Sequence, residues 1–146
     1  MVKTEIIIRP YRDADETQVV TLWERCGLTR PVNNPHRDIR RKLNVDRELF
    51  LVGVLNNKIV AAIMGGYDGH RGAVYYVGVD PDHQRKGFGR IIMMELERRL
   101  RELGCPKFNL LVRGENKKVI EFYQRLGFTV EDNVQMAKRL IDDSKS

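Results

Sequence analysis

The stretch Val79-Asp80-Pro81-Asp82-His83-Gln84-Arg85-Lys86-Gly87-Phe88-Gly89-Arg90 decides how this chain is read. It joins a strand-like run, Ala73 to Val79, to the longest helical pattern of the sequence, Gly87 to Leu103, closed by Gly104. Ile92, Leu96, Leu100 and Leu103 make the core stripe of that helix. Two glycines at the helix entrance let the backbone turn tightly and let a ligand come close. The first helical N–H groups have no partner inside the helix, and with the macrodipole they form an anion site. Arg85, Lys86 and Arg90 add positive charge around it. The ligand implied is a phosphate or pyrophosphate; the competing reading is a glycine-rich turn with solvated cations. A dinucleotide-binding fingerprint fails, because Gly87-Phe88-Gly89-Arg90-Ile91-Ile92 lacks the third glycine and the preceding strand is the fourth, not the first.

Upstream, Leu49 to Leu55 and Ile59 to Met64 are strands joined by Asn56-Asn57, a turn that suits asparagine because it tolerates positive φ. Gly65 to Gly72 is turn-rich, and Gly78 inside strand four predicts a bulge or a close backbone approach. Glu5 to Arg9, bounded by Pro10, is a first strand. Asp13 and Glu16 form a capping-box pair that opens a helix. Val19, Leu22, Trp23 and Cys26 share one face of it and Gly27 ends it, so Trp23 faces the core. Asn34 caps and Pro35 starts a second helix running to about Asp46. Its apolar face is thin, Ile39 and Leu43, so it lies on the surface or lines a cleft. Downstream come a fifth strand, Phe108 to Val112, and a last helix, Asn116 to Leu126, closed by Gly127. Phe128 to Glu131 and Val134 to Lys138 read as a closing hairpin. The order β-α-α-β-β-β-α-β-α-β-β describes an α/β fold with a single mixed, mostly antiparallel sheet. Strands four and five are parallel across a helical crossover, and helices cover both faces. No repeat, linker or low-complexity stretch divides 1–146, so one domain is expected.

The chain has 146 residues, 42% apolar and 32% charged, close to the soluble globular averages, which excludes disordered and fibrous classes. The longest apolar run, Ile59 to Met64, falls far short of the about 20 residues of a membrane span. Ile6-Ile7-Ile8 between charges is too short for a signal-peptide core. No membrane partner is expected, and a cytoplasmic location is. Cys26 and Cys105 show no CxxC pairing and read as free thiols in a reducing compartment. A net charge of +6 favours acidic partners, but the basic residues are scattered, with no block of like charge. A phosphorylated cofactor fits this better than nucleic acid, and no nucleic-acid partner is expected. Serine occurs only as Ser144 and Ser146, which excludes a serine nucleophile on an elbow. His36, His70 and His83 stand far apart with no HExxH pattern, so no metal is expected. No GxxxxGK[ST] loop occurs, which excludes P-loop NTPases.

Gln84-Arg85-Lys86-Gly87-Phe88-Gly89 matches the pattern Q/R-x-x-G-x-G/A, and Asn116 to Phe128 reads N-x-x-V-x-x-x-Y-x-x-x-G-F. These resemble the two signatures of the GCN5-related N-acetyltransferase (GNAT) family, in the expected order and about 30 residues apart, with Val119 in place of the commoner alanine. The element order over nearly the whole chain is similar too. Small bacterial members share Thr21 to Cys26, Gly65 to Gly72 and Gly104-Cys105-Pro106-Lys107. The resemblance implies an acetyl-CoA-dependent N-acetyltransferase with acetyl-CoA as cosubstrate and direct attack by a primary amine, without an acyl-enzyme. It implies that the backbone around Gln84, Arg85, Lys86, Gly87, Gly89 and Arg90 holds the pyrophosphate. Strands four and five splay around Gly78, and Val77 and Val79 pair with the pantetheine arm, one of them polarising the thioester carbonyl. Asn116 hydrogen-bonds the pantetheine. Tyr123, two helical turns on and on the same face, protonates the departing thiolate; the competing reading makes it a core tyrosine.

The acceptor, an amine of a small molecule, peptide or protein, falls to the region of helices one and two, where Arg30, Asn33, Asn34 and Arg37 are candidate contacts, and to the last hairpin. Family members that acetylate ribosomal-protein N-termini carry a glutamate on strand five where this chain has Leu111, and the strand-four position reads Ala73. No evident base remains, although Asp68, His70, Tyr75 or Tyr76 can be considered for it. That gap keeps a second reading open, a non-catalytic acyl-CoA-binding or sensing module on the same fold. A homodimer is in keeping with the dimers common in the family.

Overall fold

The computed structural model describes residues 5–145. Its single sheet holds β1 (Ile7–Pro10), β2 (Phe50–Leu55), β3 (Lys58–Tyr67), β4 (Gly72–Val79) and β5 (Phe108–Asn109) in that spatial order. Neighbours are antiparallel except β4 and β5, which run parallel. The helices are α1 (Glu16–Arg25), α2 (Pro35–Lys42), α3 (Phe88–Glu102) and α4 (Lys117–Arg125). This is the α/β architecture expected, with a mixed and mostly antiparallel sheet.

The pleat sends successive side chains to opposite faces, and each face has its own core. Phe50, Val52, Ala62 and Met64 meet Val19, Val20, Leu22 and Trp23 of α1 and Ile39 of α2. Leu51, Ala61, Ile63 and Val74 meet Ile92, Met93, Leu96 and Leu100 of α3 and Tyr123 of α4. Trp23 is fully buried, stacked between Tyr76 at 4.1 Å and Phe50 at 5.9 Å. Asn56 and Asn57 take φ of 50° and 64°, the double left-handed turn that matches the twist of a two-residue hairpin. Pro10 sits on the edge strand, where its missing N–H costs no ladder bond.

Four expectations are corrected. The Asp13–Glu16 capping box does not form. A short 3-10 turn, Asp13–Asp15, precedes α1, and Asp15 accepts the Arg12 N–H at 2.8 Å and Arg9 at 2.7 and 3.0 Å. Asp13 instead meets Arg47 at 2.8 Å. The second helix ends at Lys42, where the Asn44 and Val45 N–H groups tighten onto Arg41 O and Lys42 O, and Asp46 then turns left-handed (φ 49°) to feed a 3-10 turn, Arg47–Leu49, into β2. Strand five is two residues long. The closing hairpin carries no strand: 128–139 has no regular structure, and Val130, Val134 and Met136 are 73%, 89% and 89% exposed. Alternating apolar residues need an edge to pair with, and β5 offers only two residues of one.

Candidate active site

β4 starts out paired with β5 at Gly72↔Phe108 and Ala73↔Asn109, then leaves it. From Val74 onward its outer edge carries no strand among the described residues. Its inner edge stays on β3, but the register slips between Ala62↔Gly78 and Met64↔Tyr75. Tyr76 and Val77 therefore stand opposite Ile63 alone, a β-bulge, and Tyr76 takes a left-handed φ of 53°. The bulge expected at Gly78 thus lies one to two residues earlier. Gly78 supplies the close approach instead: a Cβ there would come within 3.3 Å of Cys26 Sγ and Leu28 Cδ1. The extra residue re-phases the strand. Val74, Val77 and Val79 all pack on the α3 face, and Tyr76 packs on the α1 face. Asp80 N–H bonds back to Val60 O at 2.8 Å, so antiparallel alternation turns the backbones of Val79 and Val77 toward the outer edge. Val79 O there receives Cys26 Sγ and Gln84 Nε2, each at 3.3 Å.

That edge runs into the start of α3. A 3-10 turn, Pro81–His83, leads to Arg85 (φ 65°) and Gly87 (φ 81°). The first helical bond is Ile91 N–H to Gly87 O at 3.1 Å, and the N–H groups of Phe88, Gly89 and Arg90 have no acceptor among the described residues. A Cβ on Gly87 would meet nothing within 4 Å, so its backbone, and not crowding, calls for glycine. Gly89 is a packing position, where a Cβ would come 3.2 Å from Phe122 Cζ and 3.6 Å from Val79 Cγ2. Gln84, Arg85, Lys86, Gly87 and Arg90 are exposed, and Lys86 Nζ lies 3.2 Å from His83 Nδ1. An open strand edge ending at a cationic cluster of unpaired N–H groups suits an extended amide-bearing ligand with an anionic end.

Phe122 ties α4 to this junction through Gly89. Asn116 precedes α4 with its side chain exposed and not used as a cap. Tyr123 is buried, edge-on to Phe122 at 5.1 Å and Phe128 at 5.6 Å, so it belongs to the core as well as to the second signature. Burial pushes its phenol up to about 12, which keeps the proton on oxygen.

On the other face a cleft of about 530 Å³ opens between α2 and β3–β4, lined by Asn33, Asp38, Arg41, Lys42, Tyr75 and Tyr76 among others. Tyr76 Oη donates to Asp38 Oδ2 at 2.6 Å, and Arg41 donates to Asp38 Oδ1 at 3.0 Å and Asp143 Oδ1 at 2.6 Å. Asp143 also accepts the Asn34 N–H at 2.8 Å, and its own N–H bonds Val32 O at 3.0 Å. The C-terminal segment is thereby strapped across the start of α2, and the Arg41 and Asn34 donors hold the Asp143 carboxyl down at about 2. Of the four residues expected at the acceptor, Asn33 lines the cleft. Arg30 bonds Gly27 O and Thr29 O at 3.0 and 2.9 Å, Asn34 caps α2, and Arg37 faces Asp143 at 3.7 Å. Lys42 is different. Burial lowers its pKa, and it has no ion pair among the described residues. Sequence spacing does not single out Asp38 or Lys42; their only signal is an i, i+4 relation on α2.

Tyr75 and Tyr76 line the cleft, whereas Asp68 makes a turn, accepting the N–H groups of His70 and Arg71 at 2.8 Å each. Cys26 lies nearer the site than the end of a helix suggests, directly behind Gly78. Burial raises its thiol pKa, so it stays a protonated donor and a poor nucleophile. Among the described residues no group of three or more His, Cys, Asp or Glu could hold a metal, and no helix is long and apolar enough to cross a membrane.

Residues 11–128 match the Acetyltransferase (GNAT) family. An acetyltransferase of Sodalis glossinidius is 50% identical over 139 residues, covering 94% of this chain and 98% of that protein. An acetyltransferase of Pectobacterium atrosepticum is 49% identical over 136 residues, covering 93% and 96%. Among solved structures, the aminoglycoside acetyltransferase AAC(6')-Iy in complex with a bisubstrate analogue superposes with a TM-score of 0.77 at 14% identity, over 92% of this chain and 98% of that one. The ribosomal-protein-S18-alanine N-acetyltransferase of Escherichia coli gives 0.74 at 22% identity, over 86% and 78%. The structural likenesses establish the fold; with the family match and the two bacterial relatives, the chain is an acyltransferase and belongs to the acetyltransferase (GNAT) family.

Proposed function

We propose that this protein moves an acetyl group from acetyl-CoA to a primary amine by direct attack. The observation that carries this reading is the separation of β4 from β5 after Ala73, which leaves the backbones of Val77 and Val79 on an open edge leading into the unpaired N–H groups of α3. Acetyl-CoA would supply the acyl group as a thioester, already activated toward amines. The N–H groups of Phe88, Gly89 and Arg90 would bind its pyrophosphate, with Arg85, Lys86 and Arg90 as neutralising cations. Val77 and Val79 would pair with the pantetheine amides, and one of their N–H groups would draw charge onto the thioester oxygen. Asn116 would hydrogen-bond the same arm. The amine nitrogen would form the C–N bond, and as the C–S bond breaks Tyr123, protonated at any working pH, would hand its proton to the departing sulfur; the proton shed by the nitrogen would return, through solvent, to the phenolate left on Tyr123.

The acceptor would enter from the cleft beside α2. Neither β4 nor β5 presents a carboxylate base, so an amine that is neutral by itself is favoured. An α-amine is roughly 15% neutral at pH 7, against about 0.04% for a lysine side chain. The unpaired Lys42 at the cleft wall favours acceptors that also carry a carboxylate or phosphate. The direct test is a transferase assay: acetyl-CoA with a panel of α-amines and alkylamines, following free thiol. Thiol release that depends on the amine supports the reading; tight acetyl-CoA binding with no amine-dependent release across the panel would sink it.

A further inference from the structure

Tyr76 is a large residue held with a left-handed backbone inside a strand (φ 53°), a conformation that persists only when its surroundings impose it. The surroundings here are specific. Its ring stacks on Trp23 at 4.1 Å and 20°, and Trp23 is in turn fully buried against Phe50. Its hydroxyl donates to Asp38 Oδ2 at 2.6 Å. Asp38 is itself fixed by Arg41, and Arg41 by Asp143. Elements far apart in sequence, α1, α2 and the C-terminal segment, therefore all bear on one bulge residue. The next residue is Val77, whose backbone faces the outer edge of β4.

We propose that Trp23, Tyr76 and Asp38 form a clamp that fixes the β4 bulge and so aims the Val77 N–H at the reacting carbonyl; Tyr76 and Asp38 are positioning residues of the transfer reaction. This rests on the reading of the β4 edge as the thioester site. The division of labour follows from the geometry. Trp23 restrains the ring, and Asp38 restrains the hydroxyl against rotation of the residue back toward an ordinary strand. Without either restraint the backbone at Tyr76 regains negative φ, the register with β3 shifts, and Val77 turns its N–H off the edge. Burial and the Asp38 carboxylate both hold the proton on the Tyr76 oxygen, so the hydrogen bond stays intact across the working pH range. Asp38 and Tyr76 also line the acceptor cleft. An acceptor seated there touches the side chains that hold the thioester-side donor, which couples the two halves of the site.

The test uses Tyr76→Phe, which keeps the stack and loses the hydroxyl, Asp38→Ala, and Asp38→Asn, whose amide oxygen can still accept. Tyr67→Phe, at the end of β3, where the hydroxyl donates only to Gly69 O, is the control. Three readouts are taken on each: amide hydrogen exchange over residues 74–79, acetyl-CoA affinity by calorimetry, and kcat and KM with one accepted amine. Losing one part-buried hydrogen bond to a carboxylate predicts about tenfold faster exchange in 74–79 and about tenfold lower kcat for Tyr76→Phe and Asp38→Ala. Acetyl-CoA affinity should fall less than kcat, because the contacts at the start of α3 and at Val79 are left in place, and Asp38→Asn should recover most of the losses in exchange and kcat. Unchanged exchange in 74–79 overturns the clamp. So does faster exchange with kcat intact, or a loss confined to KM. Absence of turnover in the unmutated protein would strike the proposed reaction instead, and the exchange data alone would then still decide whether the bulge is clamped.

Discussion

Replacing Gly87 by alanine and by glutamate separates backbone strain from charge at the start of α3. Gly87 takes φ 81° with open space around it, so alanine introduces the left-handed penalty and no clash. That penalty is about 1–2 kcal/mol. In a chain of this length it lowers Tm by roughly 3–6 °C. The strain is the same with and without ligand, so Gly87→Ala should bind acetyl-CoA nearly as tightly as the parent. Glutamate adds the same strain and a carboxylate beside the unpaired N–H groups. At about 6 Å and an effective dielectric of about 40, suited to an exposed site, each pair of like charges costs about 1.4 kcal/mol. Two pyrophosphate charges make about 3 kcal/mol, a loss of about 100-fold in affinity. Thermal melts and calorimetric titration of all three proteins read both quantities. High salt should narrow the gap between the variants, because the Debye length falls to about 3 Å at 1 M. S-Acetylpantetheine, which lacks the pyrophosphate, should not distinguish them. Equal acetyl-CoA affinities for the alanine and glutamate variants would refute the anion site at α3.

Four further outcomes are expected. Tyr123→Phe should keep acetyl-CoA affinity and lose about 100-fold or more in kcat, the lower range for a missing general acid. With the phenol up at about 12, the unmutated rate should rise with pH as the acceptor amine deprotonates and show no alkaline fall short of that value. The Asp143 carboxyl is depressed to about 2, so its pairing stabilises the fold above the unfolded value near 3.9 and is lost as pH falls from there through about 2. Melts of Asp143→Asn should therefore lie below the parent at pH 6 and converge with it near pH 2; parallel curves would contradict the strap. Lys42→Met should raise KM about tenfold or more for acceptors bearing a carboxylate or phosphate and leave neutral amines nearly unchanged, as for loss of one charged hydrogen bond.

The parts of the molecule legible in the sequence are those written in neighbouring residues. The loop before α3 is local: Gly87 is needed for its own φ, and the unpaired N–H groups belong to any helix start. The alternation of β2 and the Asn56-Asn57 turn are equally local. The Asp38–Tyr76 bond spans 38 residues and the Arg41–Asp143 bond 102, and no spacing rule reaches that far. Asp13 and Glu16 have the right spacing for a cap, but Arg9 on β1 fixes Asp15 from outside the helix and the turn forms around it. In the segment after Phe128 the alternation is real and the partner edge is missing. Gly78 marks the close approach that the sequence allows, with Cys26 and Leu28 against it, while the bulge and its backbone strain fall on Tyr76 two residues earlier, where nothing local signals them.

The packing of α1 on the bulge has an optical consequence. Trp23 is the single tryptophan of the chain, fully buried, and in ring contact with the residue that bends β4. Its indole N–H has no hydrogen-bond partner among the described residues, so its emission should be blue-shifted and governed by the stacked Tyr76 ring. Fluorescence excited at the red edge of tryptophan absorption therefore reports the bulge without any label. A stopped-flow trace of that emission on mixing with acetyl-CoA and an accepted amine would read the bulge separately from thiol release, and a flat trace through turnover is what a fixed bulge predicts.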